Sequence, residues 1–107
     1  MGIGMQIAYF GFAGSARLEA EASIQLMRLE PFCTQLAGCH LAIEAMGMSA
    51  REPTYDVRLD LITRNGEFRP VPHMTGADPL DALQRAFDLA EWQLAGTATA
   101  ETHENPR

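Results

Sequence analysis

The chain contains no lysine. Its basic side chains are eight arginines, set against fourteen aspartates and glutamates, for a formal charge of −6 over 107 residues. A field of that sign does not gather phosphate backbones over the whole surface, so nucleic-acid contact has to come from a local arginine cluster. It also disfavours an anionic membrane. Cysteine is scarce: Cys33 and Cys39 stand six residues apart. Two thiols make neither a zinc quartet nor a CxxC redox pair, and both read as small buried hydrophobes. No apolar run approaches the ~20 residues of a transmembrane helix. The first residues, 1–7, lack the basic cluster and apolar segment of a secretory signal, so a cytoplasmic protein is expected.

What is present suits one small folded domain: 47 % apolar and 21 % charged residues, enough for a single core. Met5–Phe10 alternates as a strand, with Ile7 and Tyr9 on one face and Gln6, Ala8 and Phe10 on the other. Gly11 and Gly14 bracket a turn, and Ser15 is placed to cap a helix. Leu18, Ala22, Leu26 and Leu29 then recur at helical spacing, with Gln25 beside them, until Pro31 stops the helix. Residues 32–38 read as a loop. Cys39–Met46 alternates again, and Gly47–Pro53 is a connector.

Thr54–Arg64 is the clearest strand, with Tyr55, Val57, Leu59 and Leu61 against Asp56, Arg58 and Asp60. Asn65-Gly66 predicts a two-residue type I′ hairpin. The return strand, Glu67–Val71, carries Pro70 and is followed by Pro72, which assigns it to a sheet edge. His73–Gly76 reads as a loop. Asp78 caps a last helix with Pro79 at its first position, an apolar stripe of Leu80, Leu83, Phe87, Ala90 and Leu94, and an end at Gly96. The fold class is therefore α+β: a two-layer β-α-β-β-β-α order, a four-stranded sheet and two helices on one face. Residues 1–96 form one domain and 97–107 a flexible tail.

Catalytic patterns are lacking. No Ser-His-Asp or Cys-His order stands out, Gly11-x-x-Gly14 is neither a P-loop nor a dinucleotide fingerprint, and no enzyme is expected. His40 and His73 lack a third ligand at a convincing spacing, so neither metal nor cofactor is expected. Trp92 is the anomaly. It lies nine residues beyond Leu83, half a turn of the wheel from the core stripe. With Leu89 three residues before it, Trp92 marks a candidate protein-contact face.

The order of segments and several short words resemble the short ribosome hibernation-promoting factors and ribosome-associated inhibitors, the sigma-54 modulation or S30EA-like proteins. The words are Met5-Gln6-Ile7, Leu29-Glu30-Pro31-Phe32, Asn65-Gly66-Glu67, Gly76-Ala77-Asp78, Ala82-Leu83, Asp88 and Gln93-Leu94. Together they span about Met5 to Leu94. The resemblance implies binding of rRNA in the decoding region of the small ribosomal subunit, translation inhibition and ribosome hibernation under stress. The candidate rRNA contacts are then Arg17, Arg28, Arg58, Arg69 and Arg85. Arg58 and Arg69 are expected on the open face of the sheet.

The chain departs from the family where Gln25, Leu89 and Trp92 stand at positions usually basic. The last helix sets Arg85 alone against Asp78, Asp81, Asp88 and Glu91. That acidity keeps a second reading open: a diverged, non-enzymatic protein-interaction module that has lost ribosome binding. Its partner would be another protein, or a second copy, docked on the last helix through Leu89 and Trp92.

Overall fold

A computed structural model of the chain describes residues 2–47 and 53–104, with side chains described through residue 96. The elements are β1 (Gly4–Phe10), α1 (Ala16–Met27), β2 (Leu36–Met46), β3 (Thr54–Thr63), β4 (Phe68–Pro70), β5 (Met74–Gly76) and α2 (Pro79–Glu104). A 3-10 turn over Glu30–Phe32 follows α1, with Pro31 in its first turn where a missing N–H costs nothing. The expected α+β architecture is present. The connector expected over Gly47–Pro53 lies, from 48 to 52, outside the described residues.

Strand alternation decides which face each side chain takes. β1 pairs parallel with β2, bringing Met5 beside Cys39, Ile7 beside Leu41 and Tyr9 beside Ile43. β2 pairs antiparallel with β3, so Leu41 meets Leu59 and Ile43 meets Val57. These inward residues of β2 and β3 are fully buried. The helices cover that face. α1 contributes Leu18 and Ala22, and Leu29 follows just beyond its end; α2 contributes Ala82, Leu83, Ala86, Phe87, Ala90 and Leu94. The three alanines let α2 approach the sheet closely, while Phe87 fills the volume between layers. Burying each large side chain stabilises by about 2 kcal/mol.

Both helix starts are capped by the expected residues. Ser15 Oγ accepts from Leu18 N at 3.1 Å, and Asp78 Oδ1 accepts from Leu80 N at 3.0 Å. Gly14 ends the turn before α1 with φ +78°, and a Cβ there would stand 2.5 Å from the Tyr9 ring. Glycine thus lets the chain pass over the Tyr9–Phe12–Tyr55 cluster, whose rings meet edge to face at 5.5 and 5.2 Å.

Five expectations are corrected. β2 begins at Leu36, not Cys39, because Leu36 is fully buried and its segment pairs with the end of β3. The hairpin is not type I′. Only Gly66 has positive φ, +86°; Gly66 N donates to Thr63 O at 2.9 Å and Thr63 N to Glu67 O at 2.9 Å. That is a three-residue loop closed by a glycine bulge, which needs one positive φ instead of two.

Residues 74–76 are not a loop: β5 pairs with Tyr55–Val57 on β3. The sheet order is β1-β2-β3-β4, with β5 sharing the edge of β3 that β4 occupies. Between these two pieces Pro70 and Pro72 flank Val71, which is buried and donates its N–H to Leu59 O at 2.8 Å. α2 does not stop at Gly96 but continues to Glu104. A lone glycine costs a helix only about 1 kcal/mol, and Ala95, Ala98 and Ala100 around it are strong helix formers. Finally, Arg69 lies opposite Leu61, which puts it on the helix side of β4, not on the open face.

Candidate binding surfaces

Two surfaces are available: the outer side of the helix pair and the open face of the sheet. On the first, the expected contact residues turn out to hold the fold together. Arg28, at the C-terminal end of α1, bonds Asp88 at 2.8 Å and also Glu91, both on α2. Its third partner is Gln25 Oε1 at 2.7 Å. The hydrogen bonds to Glu91 and then Asp88 raise the Arg28 pKa against the opposing effect of burial.

Gln25, the buried polar side chain beside the core, passes the network on by donating to Glu21 at 2.7 Å. Glu21 also accepts from Gln84 of α2 at 3.1 Å. The two bonds from Gln25 and Gln84 hold the Glu21 carboxyl below its ordinary pKa. Arg85 is engaged as well. It pairs with Asp81 at 2.9 Å and donates to Thr75 O at 2.9 Å, fastening β5 to α2.

The other three candidates are scattered. Arg17 is exposed at the start of α1, Arg58 is exposed in the middle of the open sheet face, and Arg69 is exposed on the far edge. None of the three forms a salt bridge among the described residues. Arg69 shares a cleft of about 360 Å³ with Arg64, Leu61 and Leu94. Arg64 itself is bound to Cys33 O through Nε at 2.9 Å and Nη2 at 2.7 Å.

On the open face Arg58 lies beside the carboxylates of its own strand, Asp56 and Asp60. His73 Nδ1 is 3.2 Å from Asp56, and His40 packs edge to face on Phe68 at 5.5 Å. The two histidines therefore have separate neighbours. Among the described residues there is no cluster of three or more metal-ligating side chains, and no helix is long and apolar enough to cross a membrane.

Of the two apolar candidates, Trp92 is 72 % exposed, whereas Leu89 is half-buried against the core. The outer helix surface also bears Met27, 69 % exposed, and Ile24, 56 % exposed, on α1. The sequence reading missed these two. Their signal was there: they lie three residues apart and off the core stripe. Both helices thus expose apolar side chains around the Arg28 network.

No protein-family model and no curated protein sequence matches the chain. Solved structures do. A ribosomal subunit interface protein from Coxiella burnetii superposes with a TM-score of 0.74 at 14 % identity, over 91 % of this chain and 99 % of that one. The N-terminal domain of Protein Y from Thermus thermophilus gives 0.63 at 18 % identity, over 88 % and 96 %. This chain has their fold. The resemblance noticed in short sequence words is therefore matched in three dimensions, across nearly the whole length of both neighbours.

Proposed function

We propose that the chain is a non-enzymatic, cytoplasmic ribosome-associated factor that occupies the decoding region of the small ribosomal subunit and inhibits translation under stress. The observation that carries this reading is the fold shared, over 91 % of this chain, with a ribosomal subunit interface protein. The rRNA contacts fall to Arg17, Arg58 and Arg69, because Arg28 and Arg85 are neutralised in place. Shape then contributes more than charge.

Cosedimentation with ribosomes and isolated small subunits, at low and moderate salt, tests it. Stoichiometric pelleting with small subunits is expected, weakened by salt and by Arg58→Glu. Failure to pellet at low salt would sink the proposal.

A specific observation favours a second reading, a protein-interaction module that has left the ribosome. Trp92, Met27 and Ile24 are exposed on a helix surface whose central arginine is already paired. That reading expects Trp92→Ala to abolish partner binding, while Arg58→Glu leaves it intact.

A further inference from the structure

The two edges of the sheet are built differently. Along β3 the outer edge is made of two three-residue pieces, β4 and β5. Pro70 and Pro72 interrupt it, and proline cannot donate to a ladder. That edge is protected against further pairing.

The opposite edge has no such device. β1 runs seven residues, Gly4-Met5-Gln6-Ile7-Ala8-Tyr9-Phe10, and among the described residues it pairs with β2 alone. It holds no proline and no charged side chain. An unprotected edge of that length presents a row of backbone donors and acceptors to another strand.

The side chains point the same way. Ile7, Met5 and Tyr9 face the helix layer but are only half-buried, while their neighbours Leu41, Cys39 and Ile43 on β2 are fully buried. On the other face Phe10 is 49 % exposed. In α1, Glu21 and Arg28 face α2. Leu26 lies on the opposite flank of α1 and is also half-buried, packed against the core. Burial is thus incomplete along this border of the core, as it also is at Tyr55, Met74, Leu80 and Leu89 on other elements.

We propose that two copies of this chain pair through β1, antiparallel about a twofold axis near Ile7, to form one continuous sheet. A closed twofold contact is self-complementary. Here Ile7 meets its own copy, Met5 meets Tyr9, and Gln6 meets Ala8. Met5 against Tyr9 is a favourable sulfur–aromatic pairing.

Charge selects a second copy on this edge over a meeting on the last helix. Each copy carries −6, and β1 brings two of them together along a strand with no charged side chain of its own, Glu30 standing only at its start, 3.4 Å from Ile3 N. A twofold contact on α2 would set Asp81, Asp88 and Glu91 near their copies, three carboxylates that Arg28 and Arg85 balance only in part. The proposal stands independently of any ribosomal role.

The test is sedimentation equilibrium of the intact chain over a wide concentration range, with hydrogen–deuterium exchange at both ends of that range. A mass rising from 11.7 kDa to about twice that is expected, together with slower exchange of the β1 amides at high concentration. The variant Gln6→Lys with Ala8→Lys places lysine opposite lysine across the junction at two positions exposed in the single chain. It should keep the circular dichroism spectrum and weaken association at least ~10-fold, since like charges directly opposite on paired strands repel.

It does so while lowering the magnitude of the net charge, so general charge repulsion cannot explain a loss. A monomer at every concentration, with β1 amides exchanging fast, overturns the proposal and leaves the edge to an extended segment of another protein. A dimer that survives the two lysines but is lost in Trp92→Ala also overturns it and puts the junction on α2.

Discussion

Arg28 is a cation whose field is cancelled where it sits. Its partners Asp88 and Glu91 lie about sixty residues further along the chain, so no reading of its local sequence could find them. The family resemblance makes it a candidate rRNA contact; the structure shows it paired across the two helices. Its side chain and those of its partners are each more than a third exposed, so solvent screens part of the interaction. Arg28→Ala should therefore cost only about 1 kcal/mol in urea denaturation, with the deficit shrinking in high salt.

Cys39 shows the opposite case, a residue read correctly from alternation alone. Burial pushes its thiol up from 9.0 to about 12. The folded state thus keeps the thiol neutral while the unfolded chain ionises it. This site leaves stability undiminished below pH 9 and lowers it as pH rises toward 12. Cys39→Ala should remove that alkaline decline, measured as the difference between the two proteins' stability–pH curves. In the native protein at pH 8, a thiol reagent should modify the half-buried Cys33 well before Cys39.

At the scale of the element, legibility followed periodicity. Both helices, three long strands, both N-caps and the inward-facing residues of β2 and β3 were readable because alternation and the 3.6-residue period each repeat several times. The short pieces were not. β5 is three residues long, too short to show a period, and exists because β3 offers it an edge. The hairpin was legible as a turn but not as a turn type, since Asn-Gly satisfies more than one loop.

That difference has a measurable consequence. In a type I′ turn both central residues need positive φ, so replacing either would strain the chain. Here only Gly66 does, in open space. Gly66→Ala should cost about 1–2 kcal/mol from backbone strain alone, and Asn65→Ala should be within about 0.5 kcal/mol of neutral. Equal losses at the two positions in thermal or urea unfolding would contradict the three-residue loop.

For the whole molecule the issue is shape against charge. The chain has the fold of its solved neighbours at 14 % and 18 % identity. Only the packing pattern has to persist for that, because many apolar residues of the right size can fill one core. Surface charge is under no such constraint. Of the exposed arginines of the described residues, Arg64 and Arg69 share one cleft, Arg58 lies on the open sheet face and Arg17 at the start of α1; Arg51 and Arg107 lie outside those residues. One ribosomal contact could therefore engage only about two to four phosphates. Counterion release then sets the salt dependence at roughly −0.7 to −0.9 per phosphate. A plot of log affinity for small subunits against log salt should have a slope between about −1.5 and −3.5. A slope steeper than about −5 would require more cations on one surface than this fold assembles. A slope in the expected range would mean that the domain is held in place mainly by fit, which is how an acidic protein can occupy an RNA-lined channel.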